Sequence, residues 1–84
     1  MQHRIVILPP TPERAEVINK GLLAGLAIWG GTIVYAGALR IHWEPDTPEC
    51  DDFETVKIVL DAMVEHEVLD PHVDNYGVEG PQDV

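Results

Sequence analysis

The chain opens on a block of apolar residues, Arg4-Ile5-Val6-Ile7-Leu8, stopped by Pro9-Pro10. A short β-branched run closed by prolines predicts a buried strand ended by a turn. Thr11-Pro12-Glu13 then carries a hydroxyl at the N-cap position, proline at the first helical position and an acid in the first turn. Together they satisfy free amides and complement the helix dipole, so a helix starts here. Ala15, Ile18, Leu22, Gly25/Leu26 and Trp29 recur at helical spacing, with Glu16 and Lys20 as an i,i+4 pair on the other side. Gly30-Gly31 is the expected end of that helix.

Residues 32–43 turn to a period of two, with Leu39, Ile41 and Trp43 on one face. The run exceeds the usual strand length of about 5–6 residues. It reads either as one strand or as a hairpin turning at Ala36-Gly37. An acidic, proline-punctuated loop, Glu44 to Cys50, leads into a second helix, where Asp51 followed by Glu54 resembles a capping box. Phe53, Val56, Val59/Leu60 and Met63/Val64 form its apolar face, and Glu54, Lys57, Asp61 and Glu65 its polar face. Asp70-Pro71 marks a turn, His72 to Val78 a last strand, and 81–84 a flexible tail after a single domain spanning 1–80.

The order β-α-β(β)-α-β predicts an α+β sandwich, one small sheet with two helices on one face. With a hairpin in the middle it is ferredoxin-like; with one strand the sheet has three strands. The first strand offers few polar residues to solvate the other sheet face, so a second copy of the chain, forming a homodimer, is a candidate to pack there.

Composition narrows the class. The 84 residues are 45% hydrophobic, too apolar for a disordered acidic tail. The single cysteine, Cys50, allows no intrachain disulfide, which points to a reducing, cytoplasmic setting. Fifteen acids against five Lys and Arg give a net charge of −10. That charge is divided unevenly. Residues 1–43 hold four cations against Glu13 and Glu16, whereas residues 44–84 hold Lys57 against 13 acids. An acidic half favours a basic protein partner and disfavours direct nucleic-acid binding. Residues 21–39 form 19 consecutive uncharged positions, the length of a membrane span. Gly30-Gly31 divides that stretch into helix and strand, so no membrane partner is expected, with a span at 21–39 kept as the alternative.

Several groups could carry chemistry. Asp51, Asp52, Glu54, Asp70 and Asp74 are carboxylates of the kind that converge on Mg²⁺, and Lys57 could neutralise a phosphate. The plainer reading is that Asp51 and Glu54 cap a helix, Lys57 pairs with Asp61 and Asp70-Pro71 turns the chain. His66 and His72 with Asp70 and Asp74 match no standard Zn²⁺ or Mn²⁺ motif. No Ser-His-Asp spacing or phosphate-binding glycine loop is present.

The order Leu8-Pro9-Pro10, helix, strand, acidic loop, helix, acidic turn and strand resembles the RusA-type Holliday junction resolvases of phages and prophages. Asp51, Lys57-x-x-x-Asp61-Ala62-Met63, Asp70 and Val73-Asp74-Asn75-Tyr76 carry the resemblance. It implies an Mg²⁺-dependent endonuclease on branched DNA, with Asp51, Glu54, Lys57 and Asp70 catalytic and Asp51, Asp70 and Asp74 holding the metal. Where that family has an Asp-x-Asp-Asn site behind a basic loop, this chain reads Asp51-Asp52-Phe53-Glu54-Thr55 behind Pro48-Glu49-Cys50, with no arginine-rich stretch. Thirteen acids would repel a polyanion carrying about one charge per 1.7 Å. The sequence therefore favours a non-enzymatic acidic binding module, of the type a phage uses to inhibit a host protein, with no cofactor. Glu44, Asp46, Glu49, Asp51, Asp52, Glu54, Asp61 and Glu65 are its expected contacts with a basic host surface.

Overall fold

The computed structural model describes residues 3–37, 39–46 and 52–80. Strand β1 (Arg4–Leu8) leads into helix α1 (Pro12–Ala24) and a short helix α2 (Leu26–Trp29); β2 (Thr32–Gly37) and β3 (Arg40–Glu44) form a hairpin, and α3 (Phe53–Glu65) precedes β4 (Asn75–Glu79). The four strands make one antiparallel sheet in the order β2-β3-β1-β4. This is the ferredoxin-like arrangement, and the stretch 32–43 is two strands. The register shifts between Tyr35 and Gly37, so the turn falls after the Ala36-Gly37 pair that the sequence suggested.

The sheet is one-sided in the way its period of two requires. Ile5 lies opposite Trp43 and Val78, and Ile7 opposite Ile41 and Tyr76. Ile5, Ile7, Ile41 and Trp43 are buried with Ala15, Ile18 and Leu22 of α1, Val56, Leu60 and Met63 of α3, and Leu69. Both helices thus cover one face, each through the apolar spacing read from the sequence. Phe53, expected on that apolar face, stands 51% exposed at the first turn of α3.

Helix ends differ in detail from expectation. Thr11 caps α1 by accepting the Arg14 N–H at 3.1 Å. The helix predicted to run to Trp29 breaks at Gly25, because Trp29 folds back over Gly25 closely enough to leave no room for a Cβ. Gly30 and Gly31 then turn the chain with φ of +65° and +90°. Trp43 Nε1 donates to the Gly30 carbonyl at 3.0 Å, which seats this turn on β3. At α3 the cap is Asp52, one residue later than the predicted Asp51, which lies outside the described residues. The proposed tail 81–84 lies outside them also. The last strand is Asn75–Glu79, because the chain is still turning at Pro71–Val73. Among the described residues, no helix is long and apolar enough to cross a membrane, and the uncharged stretch 21–39 is shared between α1, α2 and β2.

Candidate functional site

The acids of the second half divide by the work they do. Asp46 accepts from Gly31 N–H at 3.0 Å and from the Thr32 hydroxyl at 2.9 Å, tying β3 to the glycine turn. Asp52 accepts from the Thr55 hydroxyl at 2.6 Å and the Thr55 amide at 3.2 Å. Those two bonds hold its carboxyl below the usual range. Asp70 Oδ1 accepts from the His72 amide at 2.9 Å, the local hydrogen bond that shapes an Asx turn.

Asp74 is the deepest acid, with its side chain wholly out of water. Arg14 Nη2 donates to Oδ2 at 2.7 Å, Arg14 Nε reaches both oxygens at 3.0 and 3.1 Å, and the Asp70 amide donates at 3.0 Å. Burial pushes the Asp74 carboxyl up, but the Arg14 and Asp70 hydrogen bonds and the Arg14 charge together outweigh it and hold it down. The same contact raises Arg14. Neither member of this latch between α1 and the α3–β4 connection was paired with the other in the sequence, where 60 residues separate them. A pocket of about 380 Å³ beside it is lined by Arg14, Val64, Glu67, Leu69, Asp70 and Pro71.

On α3 the polar side reads as expected and gains an apolar centre. Lys57 Nζ pairs with Asp61 at 2.7 Å, both side chains largely in solvent. Glu54, Asp61 and Glu65 are exposed, and Ile58, at 68% exposure, stands among them. Positions 54, 58, 61 and 65 follow the i, i+4, i+7, i+11 spacing of one helical stripe. The outer face of α3 therefore carries an exposed apolar residue in a stripe of carboxylates.

The sheet face opposite the helices carries a second constellation. Across its middle, Val34, His42, Val6 and Gly77 lie in register; across one end, Thr32, Glu44, Arg4 and Glu79 do. Arg40 Nε lies 2.8 Å from His42 Nε2, and its Nη2 reaches Glu79 at 3.6 Å in the opposite corner. Arg4 lies 3.4 Å from His42 Nδ1, 3.5 Å from Glu44 and 4.0 Å from Glu79. The face expected to be poor in polar groups is thus roofed by two arginine stems and their carboxylates, and His42 is only 8% exposed beneath them. Glu44, grouped with the partner contacts in the sequence, belongs here.

The positions suggested for catalysis are brought together only in part. Asp70 and Asp74 are neighbours, but Asp74 is taken by Arg14; Lys57 is taken by Asp61; Asp52 and Glu54 sit at the first turn of α3. Glu49, Cys50 and Asp51 lie outside the described residues. Among the described residues, no three of His, Cys, Asp and Glu gather closely enough to hold a metal ion. Compared with family models, with curated proteins and with solved structures, the chain finds no match in any of the three.

Proposed function

We propose that this chain is a small acidic protein-binding module that occupies a basic, nucleic-acid-binding surface of a host protein, as a phage-type inhibitor does. The observation that carries the reading is the outer face of α3, where Ile58 stands 68% exposed in one stripe with Glu54, Asp61 and Glu65. Asp46, Asp52, Asp70 and Asp74 hold local structure through hydrogen bonds, and this stripe is an exposed acidic surface open to a partner. The carboxylates steer encounter with Lys and Arg, and the isoleucine supplies the desolvated contact that slows release.

The test starts from a partner captured from the native host and measures its association with the wild-type chain, Glu54→Lys/Glu65→Lys and Ile58→Ala. The charge variant slows association at least about tenfold in low salt and loses most of its difference from wild type at about 0.5 M salt. Ile58→Ala speeds dissociation and leaves association near wild type. The captured partner should also lose its nucleic acid to the wild-type chain and keep it in the presence of the charge variant. Association indifferent to salt would sink the reading. Mg²⁺-dependent cleavage of branched DNA, abolished by Asp70→Asn, would replace it with the RusA-like endonuclease.

A further inference from the structure

We propose that the open face of the sheet binds a small oxyanion, a phosphate or carboxylate group, between Arg4, His42 and Arg40. The inference rests on a mismatch of donors. Both ring nitrogens of His42 face guanidinium groups, Nε2 at 2.8 Å from Arg40 Nε and Nδ1 at 3.4 Å from Arg4 Nη1. Guanidinium groups only donate, and a neutral imidazole accepts at one nitrogen and donates from the other. Whichever nitrogen accepts, the remaining N–H points at another donor, on a side chain 8% exposed. Buried donors are ordinarily matched, and among the described residues this one faces no acceptor.

The neighbouring carboxylates do not supply it. Glu44 and Glu79 stand 3.5 to 4.0 Å from the arginines, long beside the 2.7 Å of the Arg14–Asp74 pair. A charge-assisted bond of full strength is about 2.7–2.9 Å. Neither guanidinium group therefore makes a full-strength ion pair with these carboxylates, and Arg4 Nε and Arg40 Nη2 can close on a better acceptor. Open space lies on the same row two strands from His42: Gly77 pairs with Val6, and a Cβ placed on it meets nothing within 4 Å. An oxyanion entering over Gly77 takes the imidazole N–H on one oxygen and the two guanidinium forks on the others. Arg4 and Arg40 here face Glu44 and Glu79, two cations against two acids, in a chain of net charge −10.

Inorganic phosphate is the first probe, titrated at constant ionic strength while the side-chain nitrogen resonances of His42, Arg4 and Arg40 are followed. The expected result is a saturable shift at all three. Arg40→Gln weakens it by about tenfold, the loss of one charge-assisted bond. Gly77→Val touches no member of the network and suits a strand, so it keeps the fold while filling the entry, and it too weakens binding. Acetate in place of phosphate decides the source: saturation by both assigns any carboxylate or phosphate, saturation by phosphate alone a phosphate ester. Shifts that rise linearly, that sodium chloride reproduces, or that are equal in Gly77→Val and wild type would overturn the site. So would shifts that follow protein concentration in step with dimer formation seen by sedimentation, since a second copy's carboxylates would then be the acceptors.

Discussion

Replacing Arg14 by leucine isolates the buried Arg14–Asp74 ion pair without changing helix propensity appreciably. In the variant the Asp74 carboxylate stays buried and keeps one hydrogen bond, from the Asp70 amide at 3.0 Å, of the set it had. Breaking a buried pair from one side costs about 3–5 kcal/mol, because the remaining charge is uncompensated. Asp74→Ala is the milder change: the Arg14 side chain is already 23% exposed and can turn to water, so about 2–3 kcal/mol is expected. At about 0.05–0.15 kcal/mol per residue, an 84-residue chain holds about 4–13 kcal/mol in all, so either loss is large.

Urea unfolding followed by circular dichroism, at pH 7 and at steps down to pH 3, reads both numbers and their pH dependence. In the wild type the folded Asp74 carboxyl lies below its unfolded value of about 3.9, so its contribution is complete above that pH and is lost as pH falls through the folded value. In Arg14→Leu burial, the largest influence on the carboxyl, is opposed only by the Asp70 amide and raises it above the unfolded value, so protonation relieves the variant as pH falls from neutral. Both effects narrow the gap between the two proteins in acid. A deficit below about 1 kcal/mol at pH 7 would refute the reasoning. So would a greater loss for Asp74→Ala than for Arg14→Leu, or a gap that stays constant to pH 3.

Three further outcomes follow from local geometry, each readable in the same unfolding assay. Gly31→Ala places a methyl at φ +90° and against the Trp43 indole, so it costs about 2–4 kcal/mol and shifts the tryptophan fluorescence. Glu67→Gly stabilises by about 0.5–1 kcal/mol: Glu67 holds φ +62° where α3 ends with Val68 N–H on the Met63 carbonyl and Glu67 N–H on that of Val64, a motif whose left-handed position glycine fills best. Asp52→Ala destabilises the fold near neutral pH, and its deficit shrinks as acid protonates the cap in the wild type, whose carboxyl lies below its ordinary value.

The elements were legible because each depends on neighbours in sequence. The spacing of Ala15, Ile18 and Leu22 and of Val56, Leu60 and Met63 determines which side of a helix is apolar, and those residues are the ones buried. The Lys57–Asp61 pair is likewise a property of one helix turn. The break at Gly25 was hidden because it depends on where the Trp29 ring comes to rest. Arg14 and Asp74, or Arg4, Arg40, His42 and Glu79, meet only once strand order is known: β4 must lie beside β1, and β1 beside β3, before Glu79 faces Arg4 and Val6 faces His42. Had the order been available, the alternation of Arg40, His42 and Glu44 along β3 would have placed all three on the open face.

Strand order also changes what the acidity means. A count of 13 acids against Lys57 describes a half-chain, but a partner meets surfaces. Asp74 is inside, Asp46, Asp52 and Asp70 hold backbone amides, and Glu44 and Glu79 face cations contributed by the other half, Arg4 and Arg40. The sheet therefore takes two of the chain's five cations to balance its open face, and α3 keeps Lys57 alone against Glu54, Asp61 and Glu65. Part of the charge that looks like a property of the second half stands on the outer side of one helix, away from the sheet face that carries Arg4 and Arg40. The proposed basic partner and the proposed anion therefore call on different residues and do not compete.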